Sequence, residues 1–368
     1  MAAITQISNQ AAGVLTVDLD AIKANWQILA NRSGSATTGA VVKANAYGLG
    51  VEKVAPSLWS AGARRFYVAQ IEEGLDLRQI LPSADIVVLS PLLPEGLEAA
   101  VAANLVVSLN NEQALGYWTE VNNAPRAAVQ IDTGMTRLGF DDAIFRKFWN
   151  ELDPVKLGKI EEILSHLACA DDAAHPMNHE QLIRFERSTK EISPGVRRSL
   201  ANSSGVFLGG AFLQNSTRPG MALYGLNPIP GSANPMHPVV SLDVRILQIR
   251  QLSKDENVGY GATARAKAGT VIATIAAGYA DGLKRSLSNL GHVFICGEPA
   301  SIIGRVSMDL IAVDVSHLPE KLLNSALYAQ IIGSQQSADD LADAAGTIGY
   351  EILTSIGHRY ARDYKGDL

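Results

Sequence analysis

Cysteine is nearly absent from this chain, and its scarcity removes several classes of protein. The 368 residues include only two cysteines, Cys169 and Cys296, which lie far apart and lack CxxC spacing. Two such residues are too few for a disulfide framework or a thiolate zinc site, and this usage is typical of a reducing compartment. We therefore expect no metal centre and no disulfide.

Basic clusters and long apolar runs are missing as well. The chain carries 31 Lys and Arg against 37 Asp and Glu, a formal net charge of -6, without a basic block. Nucleic acid is therefore not an expected partner, because neutralising phosphates requires clustered Lys and Arg. The N-terminus lacks the basic and apolar regions of a secretory signal, and the longest weakly polar run, residues 268–280, is too short for a membrane span. These features predict a soluble cytoplasmic protein.

The remaining composition is that of an ordinary globular enzyme. Hydrophobic residues make up 47% and charged residues 18%, which excludes a disordered chain. The length is too great for one hydrophobic core. It suits two domains of roughly 150 residues each, or one (β/α)8 barrel of about 250 residues with a smaller partner.

Short β-branched runs alternate with helical patterns over the first two thirds of the chain. The candidate strands are 39–43, 65–69, 85–89, 106–108, 127–131, 163–167, 198–201 and 216–218, and the helical patterns include 20–31, 51–61, 71–80, 111–121 and 176–191. Strands that alternate with helices pair in parallel through βαβ crossovers. Eight strands are also the number that closes a TIM-type barrel. Alternation alone leaves a doubly wound open sheet as the other arrangement.

A Pro- and Gly-rich segment at residues 227–238 marks a change of architecture. Residues 239–252 then alternate with period two, and shorter strand patterns follow at 269–277, 292–296, 300–303 and 310–315, with one helical pattern at 339–345. This is typical of an antiparallel sheet. The predicted fold is therefore a (β/α)8 barrel in residues 1–236, followed by a mainly antiparallel β-domain in residues 237–368. The first dozen residues could pack with the second domain.

Lys43 stands at the end of the first predicted strand, in the segment VVKANAYG. Two β-branched residues lead into it, and a turn of small residues follows. A buried strand that delivers an amine to its C-terminal tip suits Schiff-base chemistry, because desolvation lowers the amine pKa and makes the lysine nucleophilic. A lone lysine there would more commonly be a solvated strand end, so the interpretation depends on its neighbours.

Other polar residues follow the later strands at the same edge, where the active site of a parallel barrel lies. They are Arg137 after the fifth strand, His166 near the end of the sixth, Asn202 and Ser203 after the seventh, and Arg218 after the eighth. Singly, each has a structural explanation. His166 could be a core histidine, Ser203 a helix cap and Arg218 a surface ion pair.

The segments ANSSG and RPGMALYG favour phosphate binding. Backbone N–H groups at a helix start or a Gly-rich turn can bind a dianion. Gly220, followed by Met221, allows close approach because glycine has no side chain, and Tyr47 could add a phenolic hydrogen bond. A lysine and a phosphate cradle at one barrel mouth predict pyridoxal phosphate, which forms a Schiff base and acts as an electron sink.

These motifs identify a resemblance to the alanine racemases, fold-type III pyridoxal-phosphate enzymes, over nearly the whole chain. The similar segments keep the family's order and spacing: VVKANAYG, DTGMTRLGF, SHLACAD, ANSSG, TRPGMALYG, GYGATARA, AAGYADG, GRVSMDL and TIGYEILTSIGHRY. Any one is a weak signal, and together they are specific. The resemblance implies a homodimer with shared active sites that interconverts L- and D-alanine and supplies D-alanine for peptidoglycan.

The resemblance also implies a role for each matching residue. Lys43 would carry the cofactor, and Tyr260 matches the catalytic tyrosine that in the family comes from the partner subunit. Arg218 matches the arginine facing the pyridine nitrogen. The remaining matches are the cofactor-binding positions Tyr47, His166, Asn202, Ser203, Gly220, Met221 and Tyr350, and the substrate positions Arg137, Met308, Asp309 and the entryway residue Tyr279.

Racemisation needs a proton carrier on each face of the substrate Cα. We expect Lys43 to serve the D face and Tyr260 the L face, with His166 bridging Tyr260 to Arg218. A guanidinium stays protonated, so Arg218 would discourage protonation of the pyridine nitrogen and favour racemisation over decarboxylation or transamination. Arg218, His166, Lys43 and Tyr260 are therefore the expected catalytic set.

Three positions depart from the family's pattern, and three other functions share parts of it. Gln130 replaces a frequent lysine, Thr136 a smaller residue and Ser307 a frequent cysteine. A broader amino-acid or serine racemase would share every catalytic residue. A barrel decarboxylase usually has a carboxylate at the position of Arg218, and a non-catalytic cofactor carrier usually ends after the barrel.

Overall fold

The computed structural model describes residues 11–367. They form two compact units, one built from Asp20–His237 and the other from residues 11–19 together with Pro238–Asp367. The first strand, β1 (Gly13–Asp18), belongs to the second unit. Within residues 11–367, no helix combines the length and the apolar character that a bilayer-spanning segment needs.

The larger unit is a closed sheet of parallel strands. In chain order these are β2 (Thr37–Thr38), β3 (Ala40–Val41), β4 (Arg65–Val68), β5 (Asp85–Pro91), β6 (Val106–Leu109), β7 (Arg126–Gln130), β8 (Ile160–Leu164), β9 (Arg197–Ser199) and β10 (Ser216–Thr217). Their spatial order is β2-β10-β9-β8-β7-β6-β5-β4-β3. The two terminal strands of that order, β2 and β3, are separated in the chain by Gly39 alone, so the sheet meets itself. The predicted barrel is confirmed, and the open doubly wound sheet is wrong.

Gly39 joins β2 and β3 into one interrupted strand. The backbone ladder continues through it, because Gly39 N–H donates to the Thr217 carbonyl over 2.9 Å and Val41 N–H to the Pro219 carbonyl over 2.9 Å. A Cβ at residue 39 would lie 2.6 Å from Cε2 of Tyr67. Glycine is therefore required by the close approach of that ring.

Helices and turns connect the barrel strands. They are α1 (Leu19–Ser33), α2 (Lys43–Tyr47), α3 (Val51–Ala61), α4 (Ile71–Ile80), α5 (Leu97–Ala102), α6 (Glu112–Glu120), α7 (Asp142–Glu151), α8 (Pro154–Leu157), α9 (Pro176–Thr189) and α10 (Ser203–Leu208). Polar caps define several starts: Asn111 accepts from Ala114 N–H, and Asp141 from Ile144 N–H, at the first turns of α6 and α7. Each parallel crossover returns the chain to the same end of the barrel, so every strand finishes at one edge.

Charged side chains cross the inside of the barrel. Arg65 on β4 donates to Glu162 on β8 over 2.8 Å, and Tyr67 donates to the same carboxylate over 2.9 Å. Arg65 is 1% exposed and Glu162 is 0% exposed. Since β4 and β8 are not neighbours in the sheet, these bonds span the lumen. The barrel interior therefore holds a buried ion pair as well as apolar packing.

The second unit is an eight-stranded, mainly antiparallel sheet. After β1 its strands are β11 (Val240–Gln251), β14 (Val271–Ile275), β15 (His292–Ile295), β16 (Glu298–Ile302), β17 (Ile311–Asp314), β18 (Tyr328–Ile332) and β19 (Ala361–Lys365), with a separate hairpin of β12 (Glu256–Val258) and β13 (Ala264–Ala266). Its helices are α11 (Glu320–Leu323), α12 (Ala338–Ala345) and α13 (Gly349–Ser355). The long β11 pairs with β1, β18 and β14, which curls the sheet back on itself. The predicted β-domain is confirmed as a fold.

β1 lies elsewhere than the sequence-based division placed it. That division put residues up to 236 in the barrel, whereas β1 pairs antiparallel with β11 and parallel with β19. Leu15 and Val17 are fully buried there. The strand is captured by these two long-range ladders, which no local pattern at residues 13–18 reveals. Most of the first dozen residues, 1–10, lie outside the described part of the chain.

Candidate active site

Lys43 lies at the carboxyl end of the barrel, directly before a left-handed turn. Residues 44, 45, 46 and 47 have φ values of 53°, 53°, 53° and 56°. Bonds from Ala46 N–H to the Val42 carbonyl and from Gly48 N–H to the Ala44 carbonyl, both 2.8 Å, close the turn. Left-handed conformation costs a non-glycine residue roughly 1–2 kcal/mol. The sequence predicted a small-residue turn here, and the structure shows that it is strained, as functional segments often are.

Cationic side chains gather around Lys43. Burial, followed by the charge of Arg137, lowers the pKa of the Lys43 amine, with Glu73 opposing the shift. Burial, then Arg218, Arg137 and Lys43, lowers the pKa of His166 to about 3. His166 is therefore neutral at physiological pH. The structure thus brings together residues from the ends of β3, β7, β8 and β10, as the sequence predicted, and this surplus of positive charge suits an anionic ligand.

Arg218 is held inside the barrel, with only 4% of its surface exposed. Its guanidinium donates to the Ser199 hydroxyl and to the Ser165 carbonyl. Burial lowers the pKa of Arg218, while the Tyr67 and Glu162 groups oppose that shift. The expected bridge from Arg218 to His166 is absent from the hydrogen bonds of the described residues, since serine and backbone oxygens occupy the guanidinium instead.

Ser203 organises the cradle predicted for a phosphate. Its hydroxyl accepts the N–H of Gly220 over 2.9 Å and that of Ala222 over 3.2 Å. The helix cap at this point is Asn202, whose side chain accepts Gly205 N–H over 2.9 Å. The capping role considered for Ser203 thus belongs to Asn202, and Ser203 instead joins the end of β9 to the turn after β10.

Tyr47 closes the cradle beside Gly220. A Cβ at residue 220 would lie 2.5 Å from the Tyr47 hydroxyl oxygen. The Tyr47 ring is 5% exposed and packs on Tyr224, with ring centroids 4.6 Å apart. Met221 follows in the same turn and is buried. These predicted cofactor residues are therefore contiguous in space.

Arg137 is exposed on a loop shaped by Asp132. The Asp132 carboxylate accepts the N–H groups of Gly134 over 2.8 Å and Thr136 over 3.1 Å. Gln130, which replaces the family's frequent lysine, donates its amide to the Leu138 carbonyl over 3.0 Å. Gln130 therefore fixes the backbone next to Arg137 rather than the guanidinium itself.

Gln181 on α9 is a supporting residue that sequence reasoning missed. It is fully buried and donates to the His166 carbonyl over 2.9 Å and to the Thr133 hydroxyl over 3.1 Å, while it accepts Ala168 N–H over 2.8 Å. It thus ties the loop of Arg137 to the loop of His166. A buried amide that uses both donor positions and its acceptor is a strong constraint. An amide on the buried face of a predicted helix was the available signal.

Tyr260 lies in the second unit and is 73% exposed. It follows Gly259 and lines an open groove of about 410 Å³ with Arg305, Ser307, Leu310 and other residues. The guanidinium of Arg305 lies beside the Tyr260–Gly261 turn, 2.9 Å from where a Cβ of residue 261 would be. The predicted catalytic phenol is therefore presented at the surface of its unit.

The predicted substrate residues of the second unit form one loop pair. Tyr279 N–H donates to the Ser307 carbonyl and Ala280 N–H to the Met308 carbonyl, both over 3.0 Å. Arg359 donates to Asp309 and to Asp281 over 2.7 Å each. The aromatic and apolar members remain open to solvent: Tyr279 is 45% and Met308 52% exposed, and Tyr350, a predicted cofactor-binding residue on α13, is 37% exposed.

Metal-binding groups do not cluster in the described residues: no set of three or more His, Cys, Asp or Glu side chains is placed to hold an ion. The candidate site therefore consists of an amine, guanidinium groups, an imidazole and hydroxyl groups. This chemistry suits anion binding and proton transfer.

Comparison with known proteins agrees with that chemistry. The family model of the alanine racemase N-terminal domain matches residues 17–228, and that of the C-terminal domain matches residues 239–364. An alanine racemase of Rhodospirillum rubrum is 45% identical over 366 residues, 97% of each chain. A catabolic alanine racemase of Mesorhizobium japonicum is 43% identical over 367 residues, 98% of this chain and 95% of that one.

Solved structures resemble the chain equally well. The alanine racemase of Bartonella henselae, with covalently bound pyridoxal phosphate, superposes with a TM-score of 0.90 at 38% identity, covering 96% of this chain and 100% of that one. The biosynthetic alanine racemase of Pseudomonas aeruginosa gives 0.89 at 33% identity, with 97% and 100% covered. With matched domain models running from residue 17 to residue 364, the chain belongs to the alanine racemase family.

Proposed function

We propose that this chain interconverts L-alanine and D-alanine with pyridoxal phosphate as cofactor. The main support is the environment of Lys43, because burial and the charge of Arg137 lower the pKa of its amine. Lys43 also lies at the same edge of the barrel as the cradle formed by Ser203 and Gly220. The names of the relatives and the covalently bound cofactor of the Bartonella henselae structure support alanine and pyridoxal phosphate respectively.

The barrel residues fit this cofactor. A Cβ at residue 220 would come within 2.5 Å of the Tyr47 hydroxyl oxygen, so the lack of a side chain lets this backbone be approached closely, as phosphate binding requires. Lys43 would hold the cofactor covalently, Arg218 would face its ring nitrogen, and the phosphate would contact the following residues: Tyr47, Asn202, Ser203, Gly220 and Met221. When bound, pyridoxal phosphate supplies an electron sink for the electron pair left at the substrate Cα.

Two side chains move the Cα proton in this proposal. Nζ of Lys43 takes or returns it on the D face, and Oη of the partner subunit's Tyr260 does so on the L face. The lowered pKa of Lys43 supports the first assignment, because it favours the neutral amine, the form that can accept a proton. The 73% exposure of Tyr260 supports the second, because an exposed phenol is available to another subunit.

Arginines set the orientation and the reaction type. Arg137, exposed on its loop, would bind the substrate carboxylate. Two of the five N–H donors of Arg218 bond Ser199 and Ser165 and fix the guanidinium, which stays cationic. A cation facing the ring nitrogen discourages its protonation, which favours racemisation over decarboxylation. His166, neutral at working pH, would complete the set without adding charge.

We further propose a homodimer with shared active sites. The second unit exposes a group of large apolar side chains that monomeric proteins usually cover: Tyr260 is 73%, Tyr279 45%, Met308 52%, Leu310 40% and Ile348 61% exposed. Tyr279, Met308 and Asp309 would complete the partner's substrate pocket. Mixing inactive Lys43→Arg and Tyr260→Phe proteins should restore turnover, since a mixed dimer regains one intact site.

The proposed physiological role is the supply of D-alanine for peptidoglycan. The matching proteins include alanine racemases named biosynthetic and alanine racemases named catabolic. A cytoplasmic location is proposed on the cysteines: Cys169 and Cys296 are both unpaired, and Cys296 is exposed. Measuring D-alanine auxotrophy after gene deletion tests the duty. Rescue by D-alanine is expected, and normal growth without it would point to catabolism.

Borohydride reduction tests the central assignment. Reduced protein should carry a pyridoxyl group on Lys43 in peptide mapping, and Lys43→Arg should lose both the group and alanine turnover. Lys53→Arg is the matched control, because Lys53 is an exposed lysine on α3. An unmodified Lys43, or serine turned over as fast as alanine, would overturn the cofactor site or the substrate assignment respectively.

Deuterium exchange tests the two proton carriers. In Tyr260→Phe, loss of deuterium from L-alanine should fall far more than loss from D-alanine, because only the L-face carrier is removed. Equal residual exchange from both enantiomers would contradict the assignment of faces.

A further inference from the structure

Glu73 joins the ends of two neighbouring barrel strands. One carboxylate oxygen accepts the N–H of Ala44 over 2.6 Å, and the other accepts Ala69 N–H over 2.6 Å and Gln70 N–H over 3.2 Å. Ala44 follows Lys43 directly, and Ala69 follows β4, the strand beside β3. A single half-buried side chain therefore ties the turn of Lys43 to the start of α4.

The turn of Lys43 needs an external tether. Residues 44–47 are left-handed and none is glycine, and such a conformation persists only where the surroundings over-determine it. The bonds within the turn begin at Ala46 N–H, so they leave Ala44 N–H to another acceptor. Glu73 is that acceptor, and its bond is charge-assisted and therefore strong.

The charge of Glu73 also reaches Lys43. Burial and Arg137 lower the pKa of the amine, and Glu73 raises it. His166 lies close enough for the Lys43 charge to lower its own pKa. Among the charged groups of residues 11–367 that act on Lys43, Arg137 disfavours the protonated form of the amine and Glu73 favours it.

We propose that Glu73 is a positioning residue of the active site, whose carboxylate fixes the strained turn at residues 44–47 and so holds the Lys43 amine at the barrel mouth. The proposal rests on the function proposed above, since it gives Lys43 a task that requires a fixed position. A capping role at α4 alone would need the bonds to Ala69 and Gln70 but not the bond to Ala44.

Glu73→Gln is the test variant and Glu72→Gln the matched control. Glu72 is the preceding residue of the same first turn and is exposed. Gln keeps the size of the side chain but removes the charge and one acceptor. Loss of pyridoxal phosphate from the holoenzyme into excess hydroxylamine should become about tenfold faster in Glu73→Gln, and should be unchanged in Glu72→Gln.

A second readout follows the amine itself. In the full chain freed of cofactor, labelling of Lys43 with an amine-reactive reagent across a pH series gives its apparent pKa by mass spectrometry. The apparent pKa should fall in Glu73→Gln, because a charge that raises it is gone, and stay unchanged in Glu72→Gln. Glu73→Asp keeps the charge but shortens the reach, so it should lose cofactor faster with little change in labelling.

Wild-type cofactor retention and a wild-type labelling profile in Glu73→Gln would overturn the proposal. This holds even if the melting temperature of the variant fell, because a lower melting temperature alone is what loss of a helix cap at α4 would produce. If Glu73→Gln does not fold, Glu73→Asp becomes the test variant. A wild-type rate of cofactor loss in Glu73→Asp would then overturn the proposal. A wild-type chain that forms no bond between Lys43 and pyridoxal phosphate would overturn the proposed function instead, while the labelling experiment would still decide the role of Glu73.

Discussion

Replacing Gly220 with alanine tests how tightly the proposed phosphate cradle is packed. A Cβ there would lie 2.5 Å from the Tyr47 hydroxyl oxygen and 3.3 Å from both Cζ of Tyr47 and Cβ of Val41. The short distance to the Tyr47 oxygen makes the expected cost of an added Cβ steric. Tyr47 cannot move freely, because it is 5% exposed and packed on Tyr224.

The expected cost is that of overpacking a buried site, about 1–3 kcal/mol. Tyr47→Phe removes the oxygen at 2.5 Å and leaves the nearest atoms at 3.3 Å. Gly220→Ala should therefore cost much less when it is combined with Tyr47→Phe than when it is made alone. In a double-mutant cycle on the free energy of unfolding, the two substitutions should couple by about 1 kcal/mol or more.

Urea unfolding of the four proteins, together with their pyridoxal phosphate content, measures the effect. Gly116→Ala is the control, because no atom lies within 4 Å of a Cβ at that helical position. It should be neutral or stabilising by up to about 1 kcal/mol. Additive costs for Gly220→Ala and Tyr47→Phe, or a Gly220→Ala protein as stable as Gly116→Ala, would refute the steric reasoning.

Two further predictions concern buried charge. Glu162→Gln leaves Arg65 without its fully buried partner and should cost about 3–5 kcal/mol in urea unfolding; a loss below about 1 kcal/mol would contradict the importance of the ion pair. The pKa of His166 is about 3 in the folded chain, below its unfolded value of 6.5. Between these pH values the unfolded chain binds a proton that the folded chain does not. The free energy of unfolding should therefore fall as the pH drops from about 6.5 towards 3, by up to about 1.4 kcal/mol per pH unit. His166→Gln should flatten that pH dependence, and parallel curves for the two proteins would count against a buried neutral imidazole.

Much of the barrel and of its site could be predicted because both depend on local patterns. The run of β-branched residues before Lys43 and the helical pattern at 51–61 each specify their own element. Parallel crossovers then force every strand to end at one edge. The sequence located the strand ends to within one to three residues. Once those ends were placed, convergence was required of the residues that follow them: Lys43, His166, Ser203 and Arg218. Which residues share that edge follows from topology, without any knowledge of side-chain contacts.

Features that depend on distant partners were beyond such patterns. β1 joins the second unit because it pairs with β11 and β19, more than two hundred residues away. Arg218 bonds Ser199 and Ser165 rather than His166, because serines on neighbouring strands occupy the lumen beside it. The left-handed turn after Lys43 is bonded at Ala44 N–H by Glu73, which belongs to another crossover. Each of these features is set by a contact with a residue that is distant in sequence, so the local sequence around the feature does not predict it.

The buried ion pair shows how the barrel keeps a cation under the proposed cofactor. Burial alone would raise the pKa of Glu162, but the charges of Arg65 and Arg218 outweigh burial and lower it. Glu162 thus offsets charge on both guanidinium groups in a lumen where an unpaired charge would be costly, and Arg65 has a second ion-pair partner in Asp85. Because Arg65 and Glu162 lie on strands rather than loops, the field at Arg218 is fixed by the sheet itself. A charged residue within a largely apolar barrel strand, as Arg65 at the start of RFYV and Glu162 in the middle of IEEIL, is the sequence signal of such an arrangement.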